Sequence, residues 1–333
     1  MTQSGWGAHP RSRRTALIAV CAVLFLTFLD TTIVSVTLSS VQTDLHAGVV
    51  QLQWVVNAYT LVFASLMLAA GSLGDRLGHK RVMVAGLAVF CAGSALAAVA
   101  PSAGVVIAGR AVMGVGAAAS EPGTLAVIRH QFPEAGKRAR AVGVWAAVSG
   151  LALALGPVIG GVLVGADSWR AVFYFNVVAS LILVGVTIRL IPESAVTSIG
   201  RFDFGGLFFG VTFLACMIFA GISGESAGYD ASWVVALFVL SGAALVLFII
   251  AETRARDPLL NARYLKMPRV SSALAVAFAV YFGIFSIFFF TALYLEEIVG
   301  YSGWRTATVF SPMAAAVIVS ALLAGRWVAK IDA

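Results

Sequence analysis

Long apolar runs constrain this chain more than any other feature. A helix needs about 20 mostly apolar residues to cross roughly 30 Å of hydrocarbon, where every backbone polar group must be satisfied internally. Ten such runs are present, over 15–38, 50–70, 82–100, 104–128, 141–164, 172–191, 204–222, 233–252, 271–295 and 307–327. Charged residues make up 11% of the chain and hydrophobic residues 60%, whereas a soluble protein carries about 25% charged residues. The expected fold class is therefore all-α, a polytopic transmembrane helical bundle.

The connectors between these runs alternate in basic content. The N-terminus, the even-numbered connectors and the C-terminal tail hold 19 of the 22 Lys and Arg, from Arg11, Arg13 and Arg14 through Arg76, Lys80 and Arg81 to Arg326 and Lys330. The odd-numbered connectors hold only Arg170 and Arg305. Under the positive-inside rule, both termini are expected to be cytoplasmic. The net charge of +7 then reflects orientation in a bilayer, and no nucleic-acid partner is expected. Residues 1–14 read as a cytoplasmic leader: no small-residue cleavage site follows them, and Asp30 interrupts the first apolar run. Trp54, Trp145, Trp169, Trp233, Trp304 and Trp327 mostly lie near span ends, where amphipathic rings anchor at the interface. The isolated Cys21, Cys91 and Cys216 sit in apolar runs and are expected to be reduced packing residues.

Charges inside the spans carry more information. An ionised side chain at mid-span costs about 2.5–3.5 kcal/mol on insertion scales, so it normally faces protein interior or a watery cavity. Asp30, Arg110 and Glu121 are the three such residues. Arg110 and Glu121 share one expected helix, and their spacing rotates them only about 20° apart while separating them by about 16 Å. They cannot pair with each other, and each must find water, substrate or another helix. Gly114, Ala117 and Ala118 lie on the same face, a stripe small enough to leave room or admit a neighbour and naturally read as a cavity wall. A carboxyl group partly removed from water can load and release a proton near neutral pH, whereas Arg stays charged. That combination suits ion coupling, with satisfaction by neighbouring helices as the structural alternative.

Several motifs occur in order along the chain. Gly71-Ser-Leu-Gly-Asp75-Arg76-Leu-Gly78-His79-Lys80-Arg81 follows the second span, Arg110-Ala-Val-Met113-Gly114 opens the fourth, and Gly150 to Gly161, with Gly156, Pro157 and Gly160, fills the fifth. They resemble motifs A, B and C of the major facilitator superfamily. Leu29-Asp30-Thr31-Thr32, Gln53-Trp54-Val55-Val56-Asn57-Ala58-Tyr59 and Trp169-Arg170 with Phe173 and Asn176 resemble its 14-helix drug:proton antiporter branch. His79 and Met113 stand where many relatives have Arg and Gln. The resemblance links Arg110 to proton transfer, and the cost of buried charge makes Asp30, Arg110 and Glu121 the proton-coupling and cavity candidates. The resemblance also implies a gating loop of Gly71, Asp75, Arg76, Gly78, Lys80 and Arg81, an antiporter motif of Gly150, Gly156, Pro157, Gly160 and Gly161, and cavity positions at Gln53, Asn57, Met113 and Asn176. Independently of the family, Pro157 frees a backbone carbonyl and bends its helix.

The expected organisation is a six-helix bundle over 15–191, a linker with two inserted helices free of buried charge over 192–252, and the first two helices of a second bundle over 253–333. The resemblance implies four further helices beyond these, and the 333 residues alone are expected not to transport. The expected function is proton-driven efflux of small amphipathic or cationic drug-like molecules by a monomer in the cell membrane. It needs no cofactor beyond the proton gradient. Export of an endogenous metabolite or lipid, and a non-transporting membrane subunit, are the alternatives. No P-loop, metal-ligand spacing or nucleophile with a positioned base occurs, and His9, His46, His79 and His130 are scattered, so neither an enzyme nor a metal site is expected.

Overall fold

The computed structural model describes residues 10–166, 168–193, 203–255, 266–301 and 303–331. The first nine residues of the leader, the linker positions 194–202 with Arg201, and Arg256 and Arg263 lie outside the described residues. Helix α1 (Pro10–Ile33) passes through a 3-10 turn (Val34–Thr37) into the short α2 (Leu38–Leu45). Then come α3 (Val49–Leu77), α4 (His79–Ala98), α5 (Ala103–Gln131), α6 (Ala135–Ala166) and α7 (Arg170–Leu190). After the linker follow α8 (Phe204–Ala227), α9 (Ser232–Arg254), α10 (Pro268–Leu293) with a π-helical extension (Tyr294–Ile298), and α11 (Gly303–Ile331). Among the described residues, nine helices are long and apolar enough to cross a membrane, and α10 adds the apolar stretch Pro268–Gly283. The chain is thus an all-helical polytopic bundle.

Contacts divide the chain into two compact units, Met1–Ile199 with Ser311–Ala333, and Gly200–Phe310. In the first, α5 packs on α3 and α4, α4 on α7, and α1 on α6 and α7. Hydrocarbon offers no hydrophobic drive for these pairings, so close backbone approach and interhelical hydrogen bonds must supply it. Glycines permit that approach between α4 and α5. A β-carbon on Gly93 would lie 2.6 Å from the Met113 nitrogen, one on Gly109 2.8 Å from the Gly93 carbonyl oxygen, and one on Gly116 2.7 Å from the Phe90 α-carbon. Ser94 Oγ then donates across to the Phe173 carbonyl of α7 at 2.9 Å. The α3–α4 reversal needs Gly78, whose φ of 96° suits a residue without a β-carbon.

In the second unit, Asp203 caps α8 by accepting from the Gly206 amide at 2.8 Å. Ser241 Oγ of α9 donates to the Phe213 carbonyl at 3.1 Å, and Gly210 makes room for the Phe248 ring. The inserted pair is not free of buried charge as the sequence suggests. Glu252, in the last turn of α9, is 8% exposed, because Gly206 lacks a side chain and its carboxylate fits against that position.

Two tryptophans also depart from the interface-anchor expectation. Trp145 and Trp169 are buried, and each indole N–H has an acceptor: the buried Thr124 Oγ1 at 3.0 Å and a carboxylate oxygen of the exposed Asp44 at 2.9 Å. Trp233 and Trp327 are exposed, as interfacial residues are. All three cysteines are free thiols.

The glycine contacts yield a contrast. Gly116→Ala should destabilise the purified protein by about 1–3 kcal/mol, because the added methyl meets fixed backbone. Gly185→Ala, with nothing within 4 Å of its β-position, should leave the detergent unfolding midpoint unchanged or raise it. Equal midpoints for the two variants would show that the α4–α5 crossing is not glycine-dependent.

Candidate functional site

The intramembrane charges converge in the first unit. Arg110 on α5 and Asp30 on α1 are both 0% exposed and form an ion pair, Arg110 Nη1 donating to Asp30 Oδ2. The other carboxylate oxygen, Oδ1, accepts from Asn176 Nδ2 of α7 at 2.6 Å. Arg110 Nε donates to the Val55 carbonyl of α3 at 2.9 Å, and its guanidinium carbon lies 4.4 Å from the centroid of the Tyr59 ring. Tyr59 OH in turn donates to the Thr27 carbonyl of α1 at 3.1 Å. Four helices therefore meet on one charge pair.

Local sequence makes this possible. Val55 and Tyr59 are one turn apart, so a carbonyl and a ring face lie on the same side of α3. On α1, Thr27 lies just under a turn before Asp30 and offers its carbonyl to Tyr59 while its own hydroxyl bonds Leu24 at 3.0 Å. The Asn176 carbonyl accepts from Ser180 Oγ at 2.6 Å. The stripe beside Arg110 is no cavity wall. Ala117 and Ala118 are wholly enclosed, and a β-carbon on Gly114 would lie 2.7 Å from the Tyr59 carbonyl oxygen and 3.2 Å from the Phe63 nitrogen. The small residues admit α3, which brings Tyr59 to Arg110.

Glu121, farther along the same face of α5, is different. It is 5% exposed, and its Oε2 is buried with no hydrogen-bond partner among the described residues. Its backbone carbonyl accepts from Thr124 Oγ1 at 2.7 Å, and that hydroxyl accepts from the Trp145 indole of α6. The backbone around Glu121 is thus tied down while its carboxyl group is not.

Of the expected cavity positions, Gln53 and Asn57 are half-buried on α3. Met113 and Asn176 are fully enclosed: Met113 lies against Gly93 of α4, and Asn176 is committed to Asp30, so neither lines open space here. A cavity of about 670 Å³ lies elsewhere, lined by Ser39, Ser40, Thr43, Asp44, Val164, Ser168, Trp169 and Arg170. There Arg170 donates to Asp44 at 2.5 Å and to the Ala100 carbonyl at 3.1 Å, fastening the start of α7 to the ends of α2 and α4. In the sequence, Tyr59 stands out only as part of a motif, Arg170 as part of a motif and as a basic residue of an odd-numbered connector, and Asp44 not at all. The usable signal for Asp44 was a carboxylate at the end of a span facing the only basic residue of a nearby connector.

The gating-loop residues gather at the α3–α4 turn. His79 is buried against Gly74, with Nε2 3.2 Å from Asp75 Oδ1, so the histidine does take part in the loop's polar network. Arg81 reaches Glu193 after α7 at 3.3 Å, an exposed pair that adds little stability. A β-carbon on Gly71 would lie 3.8 Å from Pro122 Cβ of α5, an ordinary contact. In the motif expected of antiporters, Gly156 and Gly160 receive Thr32 and Ile33 of α1 and Val36 of the 3-10 turn, and Gly150 receives Val317 of α11. A β-carbon on Gly161 would meet no described atom within 4 Å.

Comparison with known proteins agrees with this architecture. The family described as Major Facilitator Superfamily matches residues 20–203. The chain is 31% identical to the multidrug resistance protein Stp of Mycobacterium tuberculosis over 97% of its own length and 60% of that relative. It is 34% identical to the methylenomycin A resistance protein of Bacillus subtilis (98% and 71%) and 37% identical to the puromycin resistance protein pur8 of Streptomyces alboniger (96% and 63%). The chain thus spans about three fifths of the mycobacterial relative. Among solved structures, the fold resembles the human organic anion transporter MFSD10, with TM-score 0.62, 16% identity and coverage of 97% and 74%. It also resembles the proton:xylose symporter XylE, with TM-score 0.64, 13% identity and coverage of 96% and 69%. With a family match over more than half its length, and a relative over 30% identical of which it covers 71%, the chain belongs to the major facilitator superfamily.

Proposed function

We propose that the protein exports small amphipathic or cationic drug-like molecules in exchange for protons, as a monomer in the cell membrane with both termini cytoplasmic. The observation that carries this reading is the asymmetry between two buried acids on one network of helices. Both Asp30 oxygens already accept hydrogen bonds, one of them from a guanidinium, and these favour the ionised form, so a proton loading there works against Arg110 and Asn176. Glu121 Oε2 has no such donor to displace. Glu121 is therefore the carboxyl group that loads and releases the proton, and Asp30 with Arg110 is the fixed pair that holds α1, α3, α5 and α7 around it.

Drug resistance in the named relatives, and the glycine-proline motif on α6, support export over uptake. One charge moving down 100 mV supplies about 2.3 kcal/mol, which sustains roughly a fifty-fold drug gradient without ATP. The half-buried Gln53 and Asn57 of α3 offer polar contacts to a substrate reaching the bundle interior. Alternating access would rock this bundle against its counterpart.

Two variants separate the roles. Glu121→Gln breaks no ion pair, so its unfolding free energy should stay within about 0.5 kcal/mol of wild type. In the full-length protein, proton-driven drug accumulation in proteoliposomes should meanwhile collapse by up to roughly fifty-fold. Asp30→Asn strands a buried guanidinium and should lose about 3–5 kcal/mol of stability along with transport. Undiminished proton-driven efflux by the glutamine variant would remove Glu121 from the mechanism.

A further inference from the structure

Pro157 has no amide hydrogen, so the Leu153 carbonyl one turn earlier on α6 has no partner in its own helix. An uncapped carbonyl in a hydrocarbon slab is costly, and the donor that meets it comes from α1. Thr32 Oγ1 lies 3.0 Å from the Leu153 carbonyl oxygen. The approach depends on the residue before the proline, because a β-carbon on Gly156 would lie 2.9 Å from Thr32 Cβ and 3.0 Å from the Ile33 nitrogen. Thr32, Gly156 and Pro157 therefore form one unit: the proline exposes a carbonyl, the glycine opens the path, and the threonine caps it.

The same hydroxyl has a second acceptor, the Leu29 carbonyl of its own helix at 3.3 Å. One hydroxyl carries one hydrogen, so it serves α6 or α1 at any moment. Thr32 also follows Asp30 by two positions, about 200° around the helix. One side of α1 thus bears the carboxylate held by α5 and α7, and the other bears the hydroxyl held by α6. Immediately beyond, α1 loosens into the 3-10 turn Val34–Thr37, so a small rotation of this segment is not resisted by a continuous α-helical ladder.

We propose that Thr32 is a positioning residue that couples the Asp30 site to the proline bend of α6, its hydroxyl exchanging between the Leu153 and Leu29 carbonyls as α1 shifts. When the contacts of Asp30 are intact, α1 is placed so that Thr32 caps Leu153 and holds the bend. When they loosen, the hydroxyl returns to Leu29 and α6 is freed around Pro157. The coupling does not depend on what the protein transports, or in which direction.

Hydrogen–deuterium exchange on the purified protein tests it. Thr32→Val, which keeps shape and removes the hydroxyl, should raise amide exchange over 154–161 about threefold, the factor set by a membrane hydrogen bond of average strength. Thr32→Ser should match wild type. Asn176→Ala, a milder perturbation of Asp30 than Asp30→Asn, should raise exchange over the same residues in the Thr32 protein but add nothing to Thr32→Val. Wild-type exchange in Thr32→Val would overturn the cap. An Asn176→Ala effect of equal size with and without the Thr32 hydroxyl would overturn the coupling.

Discussion

The Arg110–Asp30 pair is the interaction on which the first unit depends. Two full charges with 0% exposure would be untenable singly, because desolvation of each ion costs several kcal/mol and only good geometry with additional hydrogen bonds repays it. Those additional bonds come from α3 through the Val55 carbonyl and from α7 through Asn176, and the Tyr59 ring covers the guanidinium face. The pair thus dictates where four helices must stand. The close glycine crossings are what let them stand there: α3 can bring Tyr59 to Arg110 only because Gly114 has no side chain. Packing and electrostatics here are one constraint viewed from two sides.

Span positions were legible because the bilayer imposes a length and a polarity that any sequence must honour. The expected runs over 50–70, 104–128 and 141–164 lie within α3, α5 and α6, which extend well past the hydrocarbon length, those over 82–100 and 172–191 overrun α4 and α7 by one or two residues, and 15–38 runs from α1 through the 3-10 turn into α2. The three buried charges were legible for the same reason, since nothing but function or a partner justifies their cost. Their pairing was not legible. Asp30 and Arg110 lie far apart in sequence, and periodicity on α5 fixes only the direction in which Arg110 points. The small-residue face at Gly114, Ala117 and Ala118 was ambiguous in a specific way: a stripe without bulk can face a void or a backbone, and only the position of α3 decides. Trp145 and Trp169 are buried, and location near a span end does not say whether a neighbouring helix covers the ring or where its N–H finds an acceptor, Thr124 inside or Asp44 at the surface.

His79 shows how a departure from a family pattern can keep a local function. The imidazole lies over Gly74 and meets Asp75 within the turn. Beside Glu121, Pro122 and Gly123 of α5 face Gly71 of α3 and the His79 carbonyl at the start of α4, where added β-carbons would meet at 3.8 and 3.4 Å.

Prolines inside transmembrane helices are usually described by the bend they cause, yet the orphaned carbonyl matters as much. At Pro157 of α6 the orphaned Leu153 carbonyl is answered by Thr32, which belongs to the helix carrying Asp30. A glycine-proline pair therefore has meaning only together with the face of the helix packed against it. Gly161, which meets nothing within 4 Å, belongs to the same sequence motif without sharing that contact. The motif is thus two things at once: a packing surface at Gly156 and Gly160 that fits α1 into α6, and a single polar contact at Thr32 through which the charged side of α1 and the bend of α6 constrain each other.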